Sequence, residues 1–129
     1  RNGLTPVLCV GETDPVAAPD ALEVARTQVR SAVAGAPAGR LVVAYEPVWA
    51  IGAPEPAGAD HIRAVTSGLQ ALLAELPGRD GSAVIYGGSA GPGLLARLGD
   101  DVDGLFLGRF AHDPAALREV LAEAEARVR

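Results

Sequence analysis

Four short apolar runs set the rhythm of the chain: PVLCV at 6–10, LVVAY at 41–45, AVIY at 83–86 and GLFL at 104–107. None alternates with polar residues. That pattern predicts strands buried on both faces, as in a parallel sheet. Between and after them the period changes to that of a helix. In 20–35 the apolar stripe is Leu22, Ala25, Val29 and Val33, with Asp20 as N-cap and Gly35 as stop. In 59–76 it is Ile62, Val65, Leu69, Leu72, Leu73 and Leu76, ended by Pro77-Gly78. A shorter helix is predicted over 91–99. In 113–128 the stripe is Leu117, Val120, Leu121 and Ala124, with Asp113 as N-cap and Pro114 at the first helical position.

The order βαβαβαβα implies an α/β protein with parallel strands and helices outside them. No internal boundary interrupts it, so 1–129 is expected to lie within one domain. Four βα units are half of an eight-unit barrel, which takes about 250 residues. Each predicted strand runs into chemistry at its C-terminal end: Gly11-Glu12-Thr13, Glu46-Pro47, Gly87-Gly88-Ser89 and Gly108-Arg109. In β/α barrels and open α/β sheets, ligands bind at that face.

Composition narrows the chemistry. The 129 residues carry a formal charge of −5 and no basic block, so nucleic acid is not an expected partner. No apolar run approaches the roughly 18 residues that cross a bilayer. Cys9 is the single cysteine, which fits a reducing, cytoplasmic setting. The chain has no Met, and is expected not to start at an initiator. It has no Lys either: all eleven basic residues are Arg. A mechanism that uses lysine cannot be complete within it.

The segments PVLCVGET, VVAYEPVWAIG, IYGGSA and DGLFLG, in this order, resemble the fifth to eighth strand motifs of the triosephosphate isomerase family. The resemblance covers nearly the whole chain and implies the second half of a TIM (β/α)8 barrel. It implies that Glu46 is the general base, moving a proton between adjacent carbons of a phosphorylated hydroxy-carbonyl sugar. Pro47, Val48 and Trp49 would be the first hinge of a lid, Ala50, Ile51, Gly52, Ala53 and Pro54 its tip, and Glu55, Pro56 and Ala57 its second hinge. Backbone N–H groups of Gly52, Ser89, Gly108 and Arg109 would hold the phosphate, aided by the helix turn that follows. Tyr86 and Ser89 would latch the lid. Cys9 would pack beside the base, and Glu12 would be structural. No metal or organic cofactor is implied.

Three departures bear on that picture. The lid tip of the family commonly reads Ile-Gly-Thr-Gly, then Lys-Thr-Ala; here Pro54 and Pro56 intervene, and Pro54 has no N–H to give the Ser89 hydroxyl. The Ala57 N–H survives as a partner for Tyr86. The last turn commonly holds two glycines, whereas Gly108 is followed by Arg109. A positive φ at Arg109 would carry about 1–3 kcal/mol of strain; alternatively its guanidinium reaches a phosphate or a longer substrate. Finally, the family's lysine and electrophilic histidine lie on its first four strands. His61 and His112 do not occupy matching contexts, and both are expected to be solvated, as is the Asp100, Asp101, Asp103 loop.

The leading expectation is interconversion of triose phosphates (dihydroxyacetone phosphate and glyceraldehyde 3-phosphate), incomplete in this chain alone. A tetrose phosphate of erythrulose type is the alternative, which the segment FLGRFAHDP favours. A non-catalytic half-barrel that binds phosphate or assembles is the third reading. The expected partners are a small phosphorylated sugar and the missing N-terminal half or a second copy, within a homo-oligomer. The strands at 6–10 and 104–107 are expected to be open edges.

Overall fold

The computed structural model describes residues 2–128. Four strands, β1 (Val7–Val10), β2 (Val42–Tyr45), β3 (Ala83–Tyr86) and β4 (Gly104–Leu105), form one sheet in chain order. All three pairings are parallel. The helices α1 (Ala18–Val33), α2 (Ala59–Glu75), α3 (Leu94–Leu98) and α4 (Pro114–Val128) connect or follow them.

One face of the sheet is packed. Val10, Val43, Tyr45, Val84 and Tyr86 point into a core shared with Ala21, Ala25 and Val29 of α1 and Ile62, Val65 and Leu69 of α2. Side chains alternate across a strand, so the intervening residues share the other face. There the register sets Val7, Val42 and Ala83 in one row, and Cys9, Ala44, Ile85 and Gly104 in the next. The expectation that every strand is buried on both faces therefore fails. Val7 is 51% and Phe106 41% exposed, because the helices cover only one side of a four-stranded sheet. β1 and β4 are its open edges, and β4 pairs over two residues rather than four, with Phe106 N–H adding one further bond to the Tyr86 carbonyl at 2.7 Å.

The helix ends refine the sequence reading. α1 starts before Asp20, at Ala18, with Pro19 in the first turn; Asp20 accepts no capping hydrogen bond and instead places its charge near the N-terminal dipole. Gly35 follows the last turn at φ +70°, a left-handed conformation that glycine adopts without strain. Asp113 caps α4 as expected, its Oδ1 accepting from the Ala115 and Ala116 amides at 3.0 and 3.2 Å. Leu121 of the predicted α4 stripe is 60% exposed, because α4 lies at the β4 edge with no further element beyond it.

α1 and α2 pack closely because α2 carries Gly68, where a Cβ would stand 2.5 Å from Leu22 Cδ2. A tighter constraint lies at the strand ends. A Cβ at Gly11 would lie 2.1 Å from the Glu46 carbonyl oxygen and 2.9 Å from Pro47 N. Both are main-chain atoms, so no side-chain rotation relieves the clash. Gly11→Ala is expected to cost about 3 kcal/mol by forcing β1 and β2 apart. Urea denaturation monitored by circular dichroism measures it; a midpoint equal to that of the unsubstituted protein would contradict the close approach.

Candidate active site

The C-terminal ends of β1 to β3 converge on Glu46. Its amide bonds to the Val10 carbonyl at 2.7 Å, extending the β1–β2 ladder by one residue. The next residue is Pro47, which cannot continue a ladder, and the chain turns there into a 3-10 turn, Val48–Ala50. The Glu46 side chain is half-buried and lies against Gly87: a Cβ there would come within 2.7 Å of Glu46 Cγ and 3.1 Å of Oε1. On the other flank the Cys9 thiol points to Glu46 Oε1 at 3.7 Å. Burial, then the charge and hydrogen bond of Glu46, push the Cys9 thiol up, so it stays protonated and donates.

Glu46 lines an open cavity of about 480 Å³. The same cavity is lined by Gly52, Ser89, Gly108 and Arg109. Among the described residues, no loop main-chain hydrogen bond is donated by the amides of Gly52, Ser89 or Gly108. Unpaired amides around a concave wall suit an anion. Ser89 has φ +54°, and is the non-glycine residue at positive φ among those described; it follows Gly88 at φ +105°. Strain of this sort collects where a turn must aim its main chain. The positive φ considered for Arg109 is absent: Arg109 begins a 3-10 turn, Arg109–His112, and the irregular backbone falls on Gly108.

The segment after Glu46 is tied down at both ends. At its start, the Val48 amide bonds to the Glu12 carbonyl at 2.9 Å and Trp49 Nε1 to Glu12 Oε2 at 3.2 Å. Glu12 is 3% exposed and also accepts from the Tyr45 hydroxyl at 2.9 Å. His61 completes this group, with Nε2 2.9 Å from the Tyr45 oxygen and 3.3 Å from Glu12 Oε2. Burial first, and then the Glu12 charge, raise the Tyr45 phenol, which stays neutral and spends its one proton on Glu12. The Tyr45 oxygen then accepts from His61, which fixes the imidazole proton on Nε2. The expectation of a solvated His61 is thus corrected: the first turn of α2 carries it inward onto a buried carboxylate.

At its far end, the Ala57 amide donates to the Tyr86 hydroxyl at 3.2 Å, and that hydroxyl donates to the Gly88 carbonyl at 2.9 Å. Burial pushes the Tyr86 phenol up to about 12, although the Ala57 bond acts the other way. The tip carbonyls of Ala50 and Ala53 lie 3.0 and 2.6 Å from Ser89 Oγ. Arg109 Nη1 and Nη2 each lie 3.2 Å from the Ala53 carbonyl, and Nη2 3.3 Å from that of Pro54.

Residues predicted for the site thus gather at one end of the sheet: Glu46, Gly52, Ser89, Gly108 and Arg109 line the cavity, and 47–57 span from Glu46 to Tyr86. His112 is exposed on the turn after β4 and does not line that cavity. The acidic loop is not simply solvated. Asp101 pairs with Arg63 at 2.7 Å, and Asp103 Oδ2 accepts the Val84 amide at 2.7 Å. Two features escaped sequence reading: the His61–Glu12–Trp49 group and the Arg109 grip on the lid carbonyls. Both pair residues 37 to 56 positions apart, and no local pattern announces them.

The chain is similar in sequence to known isomerases. The chain is 52% identical over 128 residues to the L-erythrulose-1-phosphate isomerase of Pectobacterium atrosepticum, covering 96% of the chain and 49% of the relative. It is 37% identical over 128 residues to the triosephosphate isomerase of Leifsonia xyli, covering 94% and 49%. The L-erythrulose-1-phosphate isomerase of Rhizobium etli is 38% identical over 136 residues, covering 99% and 51%. The chain spans about half the length of the curated relatives it matches, as four of eight βα units would. A model of the family described as triosephosphate isomerase matches residues 1–124, and with that match the chain belongs to the triosephosphate isomerase family.

Proposed function

We propose that the protein isomerises a short phosphorylated sugar by moving a proton between adjacent carbons, with Glu46 as the base. The observation that carries this reading is the shared cavity, lined both by a strand-end carboxylate and by Gly52, Ser89 and Gly108, whose amides donate no main-chain hydrogen bond among the described residues. The phosphate dianion binds those amides together with that of Arg109. Binding there leaves the carbon skeleton extended toward Glu46. The carboxylate takes a proton from the hydroxyl-bearing carbon beside the carbonyl, giving an enediol, and returns it to the former carbonyl carbon, while the hydroxyl proton passes to the former carbonyl oxygen through the carbonyl-polarising group. No atoms are gained or lost. Residues 47–57 act as the lid that excludes water, which strengthens the carboxylate as a base. The carbonyl-polarising group comes from outside these residues, since the cavity wall of this chain contributes no other cation than Arg109 among the described residues. The open edges of β1 and β4 and the apolar face carrying Val7 and Phe106 fit completion by four further βα units.

A four-carbon ketose phosphate is the favoured substrate, triose phosphate the second reading. The 52% identity to a relative named for L-erythrulose 1-phosphate, against 37% to one named for triose phosphate, supports that order. The resemblance of the segment FLGRFAHDP to relatives of that kind supports it as well.

In the full-length protein, Glu46→Gln is expected to lower kcat by about 10³-fold with little change in KM, because the amide cannot accept the proton while the phosphate wall is intact. Steady-state assay with both substrate classes measures it, and retained turnover would overturn the role of Glu46. The same assay on the unsubstituted protein is expected to give a higher kcat/KM on erythrulose 1-phosphate than on dihydroxyacetone phosphate. The opposite preference would select triose phosphate.

A further inference from the structure

We propose that the Arg109 side chain is the latch of the lid and takes over a bond that Pro54 cannot make. This rests on the reading of 47–57 as a lid over an anion site. Pro54 lacks the N–H that would tie the tip to Ser89. In its absence the polarity of the contact is reversed. The tip offers carbonyls, and the turns after β3 and β4 offer donors. Ser89 has one hydroxyl proton, which can reach Ala50 or Ala53 but not both at once. The guanidinium supplies the rest. Its two Nη groups converge on the Ala53 carbonyl, and Nη2 also reaches that of Pro54. Two successive carbonyls suit a planar fork of donors, and a lysine ammonium has no such fork.

The fork is held from behind. The guanidinium carbon stands 5.1 Å from the centroid of the Phe110 ring, and that ring packs against Gly91, where a Cβ would come within 2.6 Å of it. Arg109 therefore belongs to both halves of the closure. It lines the cavity beside Gly108, and its side chain grips the tip of the lid. Arg109 thereby joins the turn beside the anion wall to the tip of the lid, as a positioning residue that does not touch the reacting carbons.

The test uses the ligand-free full-length protein and the variants Arg109→Gly and Arg109→Lys. Hydrogen exchange of the lid amides in 50–57 is expected to quicken about tenfold in both variants, with the helices unchanged, since losing charge-assisted bonds loosens the tip. Affinity for inorganic phosphate is expected to change little, while kcat on the sugar phosphate falls about tenfold. Unchanged lid exchange in both variants would overturn the latch. So would a large loss of phosphate affinity in Arg109→Gly that Arg109→Lys restores, which would make the side chain an anion ligand instead. If the unsubstituted protein turns over no sugar phosphate, the proposed function fails, and the exchange measurement still decides the latch.

Discussion

The site depends on a steric constraint at the strand ends: a carboxylate clasped between two residues that have no side chain. The ladder pairs Val10 with Tyr45 and Tyr45 with Tyr86, so the next row is Gly11, Glu46, Gly87. A Cβ at Gly11 would strike the Glu46 main chain, and one at Gly87 would strike its side chain. The first glycine lets β1 approach closely enough to hold the Glu46 backbone. The second opens the space into which the carboxylate leans. Everything later in the chain is placed relative to that row, including the Gly88–Ser89 turn and the lid that leaves through Pro47.

As the proposed lid, residues 47–57 would face opposed demands. They would have to be anchored so as to close in one position, yet remain short of the packing that would lock them. The anchors lie at the two ends. Glu12, buried and accepting from Tyr45, Trp49 and the neighbouring His61, holds the first hinge to β1 and α2. Tyr86, whose phenol burial pushes further above its ordinary value, holds the second hinge through Ala57. Between them Val48 and Ile51 are more than half exposed and only the small Ala50 is fully buried, so polar contacts supply most of what holds the tip. Hydrogen bonds of that kind are individually modest, which keeps the tip separable from the turns it touches.

Much of this was legible in the residues, for physical reasons that differ by element. The helices α1 and α2 follow from periodic stripes in which Ala25, Val29, Ile62, Val65 and Leu69 are fully buried. The strands follow from apolar runs ended by Gly or Glu-Pro, and the site follows because each run ends in chemistry at the same face. The failures share one cause. The exposure of Val7, the shortness of β4 and the exposed Leu121 all arise from where the sheet stops, and a run of residues does not state what lies beside it. His61 and Arg109 failed differently. Each acts through a partner far along the chain, so its role appears only when α2 and the last turn are set against Glu12 and the lid.

The packing of the sheet and the proposed chemistry make the same demand. The helix-covered face is sealed, and Glu46 belongs to the other face, in line with Val42 and Ala44. That face is apolar and open at both edges, and exposed apolar surface of this kind is stable only when covered. A base alone generates negative charge on a carbonyl oxygen with nothing to receive it, and water is a poor receiver once a lid has excluded it. Covering the face with further strands would bury Val7 and Phe106 and would also bring the strand ends of the covering element to the cavity mouth, since parallel units point their C-terminal ends the same way. The group that polarises the carbonyl would therefore arrive on the element that completes the core. Folding of the two halves and competence of Glu46 then become one event, and a carboxylate held in waiting between Gly11 and Gly87 is what this half contributes to it.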